Sequence, residues 1–317
     1  MSYTSNESYS FNRCAIGIDN MELRQLEAFV AVAKEGGFTR ASEILMLTQP
    51  AVTRQIGGLE AELRVRLIDR LGRRVALTAA GDVFLPYAIT VLQAVAEAKV
   101  AVADVAGGVS GRLSVGVSST AATYILPPIL RRFHDAFPRV ELSLRTGPSG
   151  HTVDLVAANA VDIGIAMDSE ERPGIHFEPL AQYVLAVVVH PEHPLAKDNG
   201  SGVTVNDLAE QPMVIMQEGT NLRSLTDRIL SEGGVTAVVA MELDNVEAIK
   251  KMIAAQLGIS ILPQISVADE VRSGLLRMLP LDGGIHRRQI SAVYREDKYL
   301  SSAMAAFMNT MRDGISN

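Results

Sequence analysis

The chain contains no tryptophan and a single cysteine, Cys14, among its 317 residues. One cysteine cannot form an internal disulfide, so the sequence is not that of a disulfide-stabilised secreted scaffold. It has no run of about 18 consecutive apolar residues, which argues against a membrane-spanning helix. The first 20 residues lack the basic start and apolar run of a signal peptide, and we interpret them as a flexible leader. These absences predict a cytoplasmic globular protein.

The signatures of common enzyme classes are also missing. The six histidines do not show the spacing of zinc ligands. The sequence contains no G-x-S-x-G elbow, no P-loop and no G-x-G-x-x-G motif. We therefore predict that the protein is not an enzyme and needs no metal or cofactor.

Charge is distributed unevenly along the chain. Residues 21–80 carry nine basic and seven acidic side chains, whereas the whole chain has a net charge of −7. A mildly basic head on an acidic body indicates a nucleic-acid module joined to another domain, although so small an excess is equally typical of a solvated surface.

The head has the pattern of three helices. Apolar residues recur at helical spacing over residues 21–35 and stop at Gly36-Gly37. Thr39 can cap a short helix over 40–46, and Thr48 can cap a third helix that has proline in its first turn. Two short helices joined by a tight turn are typical of a helix-turn-helix. On the third helix the residues opposite the apolar stripe include Gln49, Pro50, Thr53 and Arg54.

These side chains suit base recognition, because Gln pairs with adenine and Arg with guanine, while Thr contacts phosphate or a thymine methyl. A second interpretation is a helical packing module with no role in DNA binding. The next segment, 66–78, predicts two short strands around Gly72 and carries Arg66, Arg70, Arg73 and Arg74. Such a wing would contact phosphates or the minor groove, unless its arginines are merely solvated.

A long connecting helix is predicted over residues 81–106. Its apolar positions follow a heptad spacing: Phe84, Ala88, Val91, Val95, Ala98, Val102 and Val105. The seam favours pairing with a second helix, although burial on its own domain would give a similar pattern. Residues 107–111, which include three glycines, then predict a hinge.

Strands and helices alternate after the hinge, as in an α/β sheet. Two such sets predict two lobes with a ligand cleft between them, outside the carboxyl ends of the strands. Ser118, Ser119 and Thr120 follow the first strand and precede a helix, where free backbone N–H groups and hydroxyls suit an anion. The simpler interpretation is that these residues only cap the helix.

The head, LRQLEAFVAVAKEGGFTRASEILMLTQPAVTRQIGGLEAELRVRLIDRLGRRVALTAAG, resembles the DNA-binding domain of LysR-type transcriptional regulators over about 60 residues. The resemblance implies a winged helix-turn-helix whose third helix enters the major groove. The implied DNA contacts are Thr39, Gln49, Pro50, Thr53, Arg54, Arg73 and Arg74. The chain departs from the family pattern at Ser42, where alanine is usual, at Ile68, where phenylalanine is usual, and at Gly57-Gly58.

Residues 111 to about 312 resemble the effector domain of the same family, which is similar to periplasmic solute-binding proteins. The segments that carry the likeness are LPPILRRFHDAFPRVEL, VDIGIAM, HPEHPL and AAQLGISILP, with Gln256 where glycine is usual. Residues 219–223 resemble the G-S-G-T-R segment of members that sense small anionic metabolites, such as the carbon-fixation and sulphur-assimilation regulators. The implied effector contacts are Ser118, Ser119, Thr120, Pro148, Ser149, Ala166, Thr220, Asn221 and Arg223.

The predicted organisation is a leader (1–20), a winged helix-turn-helix (21–80), a linker helix (81–106), a hinge (107–111) and a two-lobed α/β effector domain (112–317). The resemblance implies a homodimer formed through the linker helix, within a homotetramer, on double-stranded promoter DNA and with no membrane partner. The effector is expected to be a small anion. The alternative is a solute sensor that does not bind DNA and whose N-terminal helices mediate protein contacts.

Overall fold

The computed structural model describes residues 21–71, 74–105, 107–197, 202–281 and 286–315. The predicted leader, 1–20, and the single cysteine lie outside these residues. The chain divides into two compact units, Met1–Val100 and Ala101–Asn317.

The first unit is a small helical domain with a two-stranded wing. Its elements are α1 (Leu23–Glu35), α2 (Phe38–Ile44), α3 (Gln49–Leu63), β1 (Ile68–Leu71), β2 (Arg74–Leu77) and the start of α4 (Ala79–Val105). The core forms because the apolar stripes of α1 and α3 face each other, with Phe29, Val52 and Leu59 fully buried. The ring of Phe84 from α4 packs against that of Phe29, with centroids 5.5 Å apart.

The start of α2 differs from the prediction. Gly37, not Thr39, is the N-cap residue, and the helix begins at Phe38. The side chain of Phe38 is buried in the domain core, so hydrophobic packing draws the preceding residues into the helical turn. Thr39 instead lies in the first turn, where its carbonyl accepts a hydrogen bond from Ser42 Oγ at 2.7 Å.

A glycine fixes the junction between the wing and α4. Thr78 Oγ1 donates to the carbonyl of Arg66 at 2.7 Å and accepts from the amide of Gly81 at 3.0 Å. A Cβ on Gly81 would lie only 2.1 Å from the carbonyl oxygen of Leu67. The backbones can approach this closely only because residue 81 has no side chain.

The α4 helix leaves much of its apolar surface uncovered. Tyr87, Val102 and Val105 of this helix are 67%, 73% and 88% exposed. Among the described helices, α4 alone is long and apolar enough to cross a membrane, as judged by length and composition. Within its apolar 18-residue segment, 11% of the residues are buried in the protein. The apolar residues of α4 do not form a continuous run, because Asp82, Glu97 and Lys99 interrupt them.

The second unit is an α/β domain. Its elements after α4 are β3 (Gly111–Ser118), α5 (Ser119–Tyr124), α6 (Leu126–Ala136), β4 (Val140–Gly147), α7 (Ser149–Ala157), β5 (Ile163–Met167), β6 (Ile175–Val189), β7 (Pro212–Met216), α8 (Asn221–Glu232), β8 (Val238–Leu243), α9 (Val246–Ala254), β9 (Ser260–Pro263), α10 (Gln264–Arg272), β10 (Arg277–Leu279), β11 (Arg287–Arg295) and α11 (Ser302–Ile315). Two short 3-10 helices, Pro194–Lys197 and Val205–Leu208, follow β6.

One long strand connects two lobes. The first part of β6, up to Val184, pairs with β11, and β11 also pairs with β5, which lies beside β3 and β4. The last part of β6, Leu185–Val189, pairs with β9 and β10 instead. Each half of the strand therefore belongs to a different lobe, and each lobe has its own hydrophobic core. The predicted two-lobed α/β domain behind a winged helix-turn-helix is confirmed.

The helical segment after β3 is interrupted. The helices α5 and α6 are divided at Ile125. Pro127 and Pro128 lie in the first turn of α6, the position in a helix that tolerates a missing N–H. The helix α10 was not predicted, because only three of its nine residues are apolar side chains larger than alanine.

Glycines in the predicted hinge have positive φ angles. Gly107, Gly108 and Gly111 have φ values of 100°, 88° and 103°, which side chains rarely adopt. The chain between α4 and β3 therefore depends on glycine for its course. Asp104, in the last turn of α4, accepts hydrogen bonds from the amide and hydroxyl of Ser302 at 2.9 and 2.7 Å.

Candidate functional site

The third helix of the first unit presents a polar face to solvent. Thr48 caps this helix by accepting from the amide of Ala51 at 3.4 Å. Gln49, Pro50 and Arg54 are exposed, and Thr53 is partly buried. They lie opposite the buried stripe of α3, so packing against α1 fixes the direction in which this face points.

The turn before α3 is tight. Met46 has a φ of 53°, in the left-handed region, and its side chain is 93% exposed. The amide of Leu47 donates to the carbonyl of Ser42 at 2.9 Å and closes the turn. This arrangement brings Thr39, exposed on α2, onto the same helix-turn-helix unit as the face of α3.

The wing is attached directly to α3. Glu60 Oε1 accepts from the amides of Leu67 and Ile68 at 2.8 and 3.1 Å. The strands β1 and β2 pair from Ile68–Leu77 to Leu71–Arg74. Arg74 is the first residue of β2, and Arg73 lies outside the described residues.

Packing against the described residues does not require the two glycines of α3, Gly57 and Gly58. A Cβ on Gly57 would meet nothing within 4 Å. One on Gly58 would lie 2.9 Å from Gln25 Nε2, the end of a flexible side chain. Gly57 is on the exposed polar face of α3, where packing among the described residues does not require glycine.

A cavity of about 200 Å³ lies between the two lobes of the second unit. The first lobe contributes three predicted hydroxyl residues from the end of β3 and the start of α5, and the second lobe contributes residues around the starts of α8 and α9. The predicted residues that line it are Ser118, Ser119, Thr120, Pro148, Ser149, Thr220 and Asn221. Residues that line it and were not predicted include Tyr124, Gln217, Asp244, Asn245, Glu247 and Arg288.

Two predicted residues do not line the cavity. Ala166 is 1% exposed and packs with the apolar residues Val153 and Val293. Arg223 Nε donates to both carboxylate oxygens of Asp227 at 2.9 Å, and its Nη1 donates to Met216 O and to Glu242. The guanidinium of Arg223 therefore holds α8 against β7 and β8, and the structure does not bring it to the cavity.

Several lining hydroxyls and amides already have partners. Ser149 Oγ accepts from the amide of Met167 at 3.1 Å, and Thr220 Oγ1 caps α8 by accepting from the amide of Arg223 at 3.3 Å. Asn221 Nδ2 donates to the carbonyls of Met167 and Asp168 at 3.1 and 2.7 Å, so this side chain connects the lobes. Thr220 therefore acts as the N-cap of α8, and Asn221 holds the two lobes together.

Ser118 is different from its neighbours. The residue is 4% exposed, and its Oγ has no hydrogen-bond partner among the described residues. A buried polar atom without a partner is rare, because its lost hydration is not replaced. The hydroxyl faces a cavity that a ligand can fill.

A buried cation lies at the same cavity. Arg288, on β11, is 3% exposed, and its Nε donates to Asp168 Oδ2 at 2.5 Å. The other oxygen of Asp168 accepts from the amide of Gln289 at 2.8 Å. Sequence reasoning missed Arg288, although its alternation with the buried Ile290 along β11 places it on the inward face.

A second charged network connects the lobes. Tyr124 of the first lobe donates its hydroxyl to Glu247 Oε1 at 2.5 Å. Lys250 Nζ lies 2.7 Å from the same oxygen and 2.8 Å from Glu270. Burial and the bond to Glu247 raise the pKa of Tyr124. Burial alone would raise the pKa of Glu247, but the hydrogen bonds from Lys250 and Tyr124 outweigh it and lower that pKa, so the carboxylate is ionised.

No cluster of three or more His, Cys, Asp or Glu side chains that could hold a metal occurs in the described part of the chain. The polar lining consists of hydroxyls, amides, one guanidinium and the carboxylates of Asp244 and Glu247. Hydroxyls, amides and a guanidinium bind organic oxygens and anions. The cavity therefore has the chemistry of a ligand-binding site.

Comparison with known proteins covers both units. Residues 23–82 match the bacterial regulatory helix-turn-helix protein, lysR family, and residues 106–316 match the LysR substrate binding domain. The second match alone covers more than half of the chain. The chain belongs to the LysR family of bacterial transcriptional regulators. It is a DNA-binding regulator with an effector-binding domain and not an enzyme, and the alternative of a sensor that does not bind DNA is set aside.

Individual LysR-family relatives align over almost the whole chain. The probable RuBisCO transcriptional regulator of Trichormus variabilis is 32% identical over 90% of this chain and 86% of its own length. The RuBisCO operon transcriptional regulator of Allochromatium vinosum is 32% identical over 91% of this chain and 94% of its own. These names agree with the predicted likeness to carbon-fixation regulators.

Solved structures of LysR-type regulators share the fold. Full-length CbnR in complex with its target DNA superposes with a TM-score of 0.64 at 28% identity, covering 93% of this chain and all of that one. A mutant OxyR of Corynebacterium glutamicum with bound H2O2 has a TM-score of 0.60 at 25% identity, covering 94% and 93% of the two chains.

Proposed function

We propose that this LysR-type regulator binds a pseudo-palindromic promoter site on double-stranded DNA and that a small anionic metabolite in the cavity between the lobes switches its activity. The observation that supports the switch is the cavity itself, whose lining comes from both lobes. A ligand that contacts both lobes favours the arrangement in which they are closed around it, and it shifts the population toward that arrangement.

The proposed DNA contacts divide into two classes. Gln49 and Arg54, exposed on α3, suit base edges in the major groove. Thr39, Pro50, Thr53, Arg73 and Arg74 are assigned to phosphate and groove contacts that position the helix. The solved structure of full-length CbnR in complex with its target DNA supports this use of the shared fold.

We propose further that α4 pairs with the same helix of a second copy, and that two dimers form a homotetramer. The exposed apolar side chains of α4 would be covered in such a pair, which removes their contact with water. The same pairing accounts for the apolar character of α4 in a cytoplasmic protein with no membrane partner. The glycines over 107–111 would then let lobe closure alter the spacing of the paired heads.

An electrophoretic mobility-shift assay tests the DNA assignment. Full-length protein is mixed with the promoter fragment next to its own gene at low ionic strength, with and without candidate metabolites. We expect a specific complex whose mobility or footprint length changes with an active metabolite. Failure to bind any operator-like fragment under all of these conditions would overturn the proposal.

The effector assignment is tested separately by thermal denaturation with small carboxylates, phosphates and sulphur oxyanions. A ligand that binds only the folded protein raises its melting temperature. We expect Thr120→Val, at a residue lining the cavity, to reduce the shift. If this variant keeps the full shift, Thr120 is not part of the site.

A further inference from the structure

We propose that Arg288, held by Asp168, is the receptor for the anionic group of the effector, and that the cavity selects a small monocarboxylate over a multiply charged phosphate ester. This inference rests on the proposed function, because it names the ligand chemistry of the same cavity.

Two other cations, Lys250 and Arg223, lie near the cavity with 5% and 12% of their side chains exposed. The guanidinium of arginine has five N–H donors and the ammonium of lysine has three. Lys250 uses its donors on Glu247, Glu270 and the carbonyl of Ser266. Arg223 is bonded to Asp227, Glu242 and Met216 O, as described above. Lys250 therefore uses its donors on protein acceptors, and Arg223 uses both Nε and Nη1 in this way.

Arg288 uses only one of its donor groups on the protein. Among the residues that the structure describes, it donates to Asp168 alone, and only through Nε. No acceptor for its Nη1 or Nη2 group occurs in the described part of the chain, although the side chain is 4% exposed and lines the cavity. A buried charge with unused donors is costly unless a ligand or water completes its hydrogen bonds.

Asp168 is suited to hold this guanidinium in place. Its two carboxylate oxygens are occupied by Arg288 Nε and by the amide of Gln289. Its backbone carbonyl accepts from Asn221 of the other lobe. The residue also has a φ of 48°, an unusual conformation for a side chain-bearing residue that the surrounding bonds maintain. Asp168 is thus a positioning residue, and Arg288 is the residue that would touch the ligand.

A second group in the same cavity lacks a partner. The Oγ of Ser118 is buried and unbonded among the described residues, and it comes from β3, whereas Arg288 comes from β11. A hydroxyl donor together with the planar N–H groups of a guanidinium matches the two oxygens of a carboxylate. Two unrelated parts of the chain therefore leave donors for one oxyanion.

The other charges of the cavity limit the ligand. Asp244 and Glu247 also line it, and both are exposed to solvent. Water weakens the effect of these carboxylates but does not abolish it, whereas Arg288 is buried and weakly screened. They would nevertheless repel a second or third negative charge on the ligand. A single carboxylate is therefore accommodated, and a bisphosphate is disfavoured.

The test is a binding measurement on the full-length protein by isothermal titration calorimetry. The probes are acetate, glycolate, lactate and glycine as small acids, fructose bisphosphate as a polyanion, and ribose as a neutral sugar. We expect at least one of the small acids to bind and fructose bisphosphate to bind more weakly. We expect Arg288→Gln to weaken the affinity for the bound acid by about 10-fold or more, since a hydrogen bond to a charged group is lost.

Three further variants keep the result interpretable. Arg288→Lys retains the charge beside Asp168 but loses the planar fork, so binding should weaken while the unliganded melting temperature changes little. Ser118→Ala removes a hydroxyl that has no protein partner, so it should fold normally and weaken binding several-fold. Arg287→Gln is the matched control, because this neighbouring arginine is exposed and bonded to Gln182.

The outcomes separate the two levels of the proposal. A small acid whose affinity is the same in Arg288→Lys, Ser118→Ala and the parent overturns the assignment of Arg288 and Ser118. Binding of fructose bisphosphate or ribose without any small acid overturns the ligand class but leaves a metabolite-responsive cavity. A parent protein that binds none of the probes overturns this inference, while the mobility-shift assay still decides whether it is a DNA-binding regulator.

Discussion

The DNA-binding face and the effector cavity are built in opposite ways. The face on α3 comes from one continuous segment, and its functional side chains are exposed on the surface of a helix whose other side is buried. The cavity is assembled from the ends of β3, β4, β7 and β8 and from β11, and its distinctive groups are buried and incompletely bonded. The first kind of site can be read from spacing, whereas the second depends on contacts between distant parts of the chain.

The largest expected effects come from core substitutions, which test whether the two units unfold independently. Phe133 is fully buried and packs against Phe137 and Phe307 with ring centroids 5.2 and 5.4 Å away. Phe133→Ala should destabilise the effector domain by about 3–5 kcal/mol, through lost transfer free energy and a cavity. Scanning calorimetry should show that transition lowered.

Phe29→Ala, in the core of the first unit, is the matched variant. It should lower the transition of the head and abolish the DNA complex. If each substitution lowers the unfolding temperature of both units equally, the two units do not unfold independently, and this prediction is wrong.

The next effect concerns the DNA face. Arg54→Ala should cost about 1–3 kcal/mol on the specific site and relax base preference, because the exposed guanidinium on α3 is assigned to a base edge. Competition binding against single-base variants of the operator measures this change.

Arg73→Ala should behave differently. Loss of a phosphate contact weakens binding to all sequences alike and makes the salt dependence shallower by about one unit. Two variants with identical sequence preference and salt slope would show that α3 and the wing are not distinguished in this way.

A smaller effect is expected from the polar contacts under the sheet of the first lobe. Asp162 accepts from the amide and hydroxyl of Ser114 at 2.8 and 2.6 Å and pairs with Lys298 at 3.0 Å. Burial alone would raise the pKa of Asp162, but these hydrogen bonds and the lysine outweigh it and lower that pKa below its ordinary value of 3.8.

Because the pKa of Asp162 is lower in the folded state, its contribution is present above pH 3.8 and is lost as the pH falls through the folded value. Asp162→Asn should cost about 1–2 kcal/mol at neutral pH and less in strong acid. Urea unfolding at neutral pH and in strong acid measures the difference. An equal loss at both pH values would contradict the ionic explanation.

The smallest effect lies at a departure from the family pattern. Gln256 has a φ of 60°, in the left-handed region where glycine is favoured, and its side chain donates to Glu192 at 3.3 Å. Gln256→Gly should therefore stabilise the domain by up to about 1 kcal/mol, less the value of the lost hydrogen bond. Thermal unfolding measures the gain.

Asn159→Gly is the comparison variant, since Asn159 has a φ of 49° and asparagine tolerates this region better than glutamine. Its Oδ1 also accepts from Lys298 Nζ at 2.9 Å, so both variants lose one side-chain hydrogen bond. A loss of stability in Gln256→Gly that exceeds that in Asn159→Gly would show that the bond to Glu192 outweighs the backbone preference.

The sequence by itself determined the fold class, the family, the helix-turn-helix and the polar face of α3, because these follow from spacing over a few helical turns. It also placed the segments that line the cavity, since loops after parallel strands meet at one edge of a sheet. The tertiary structure decided which arginine lines it. The sequence analysis named Arg223 and missed Arg288, because the direction of a guanidinium depends on acceptors far away in the chain, such as Glu242 for Arg223 and Asp168 for Arg288. Local pattern carries no information on those distances, so the charge of the cavity could be assigned only from the folded chain.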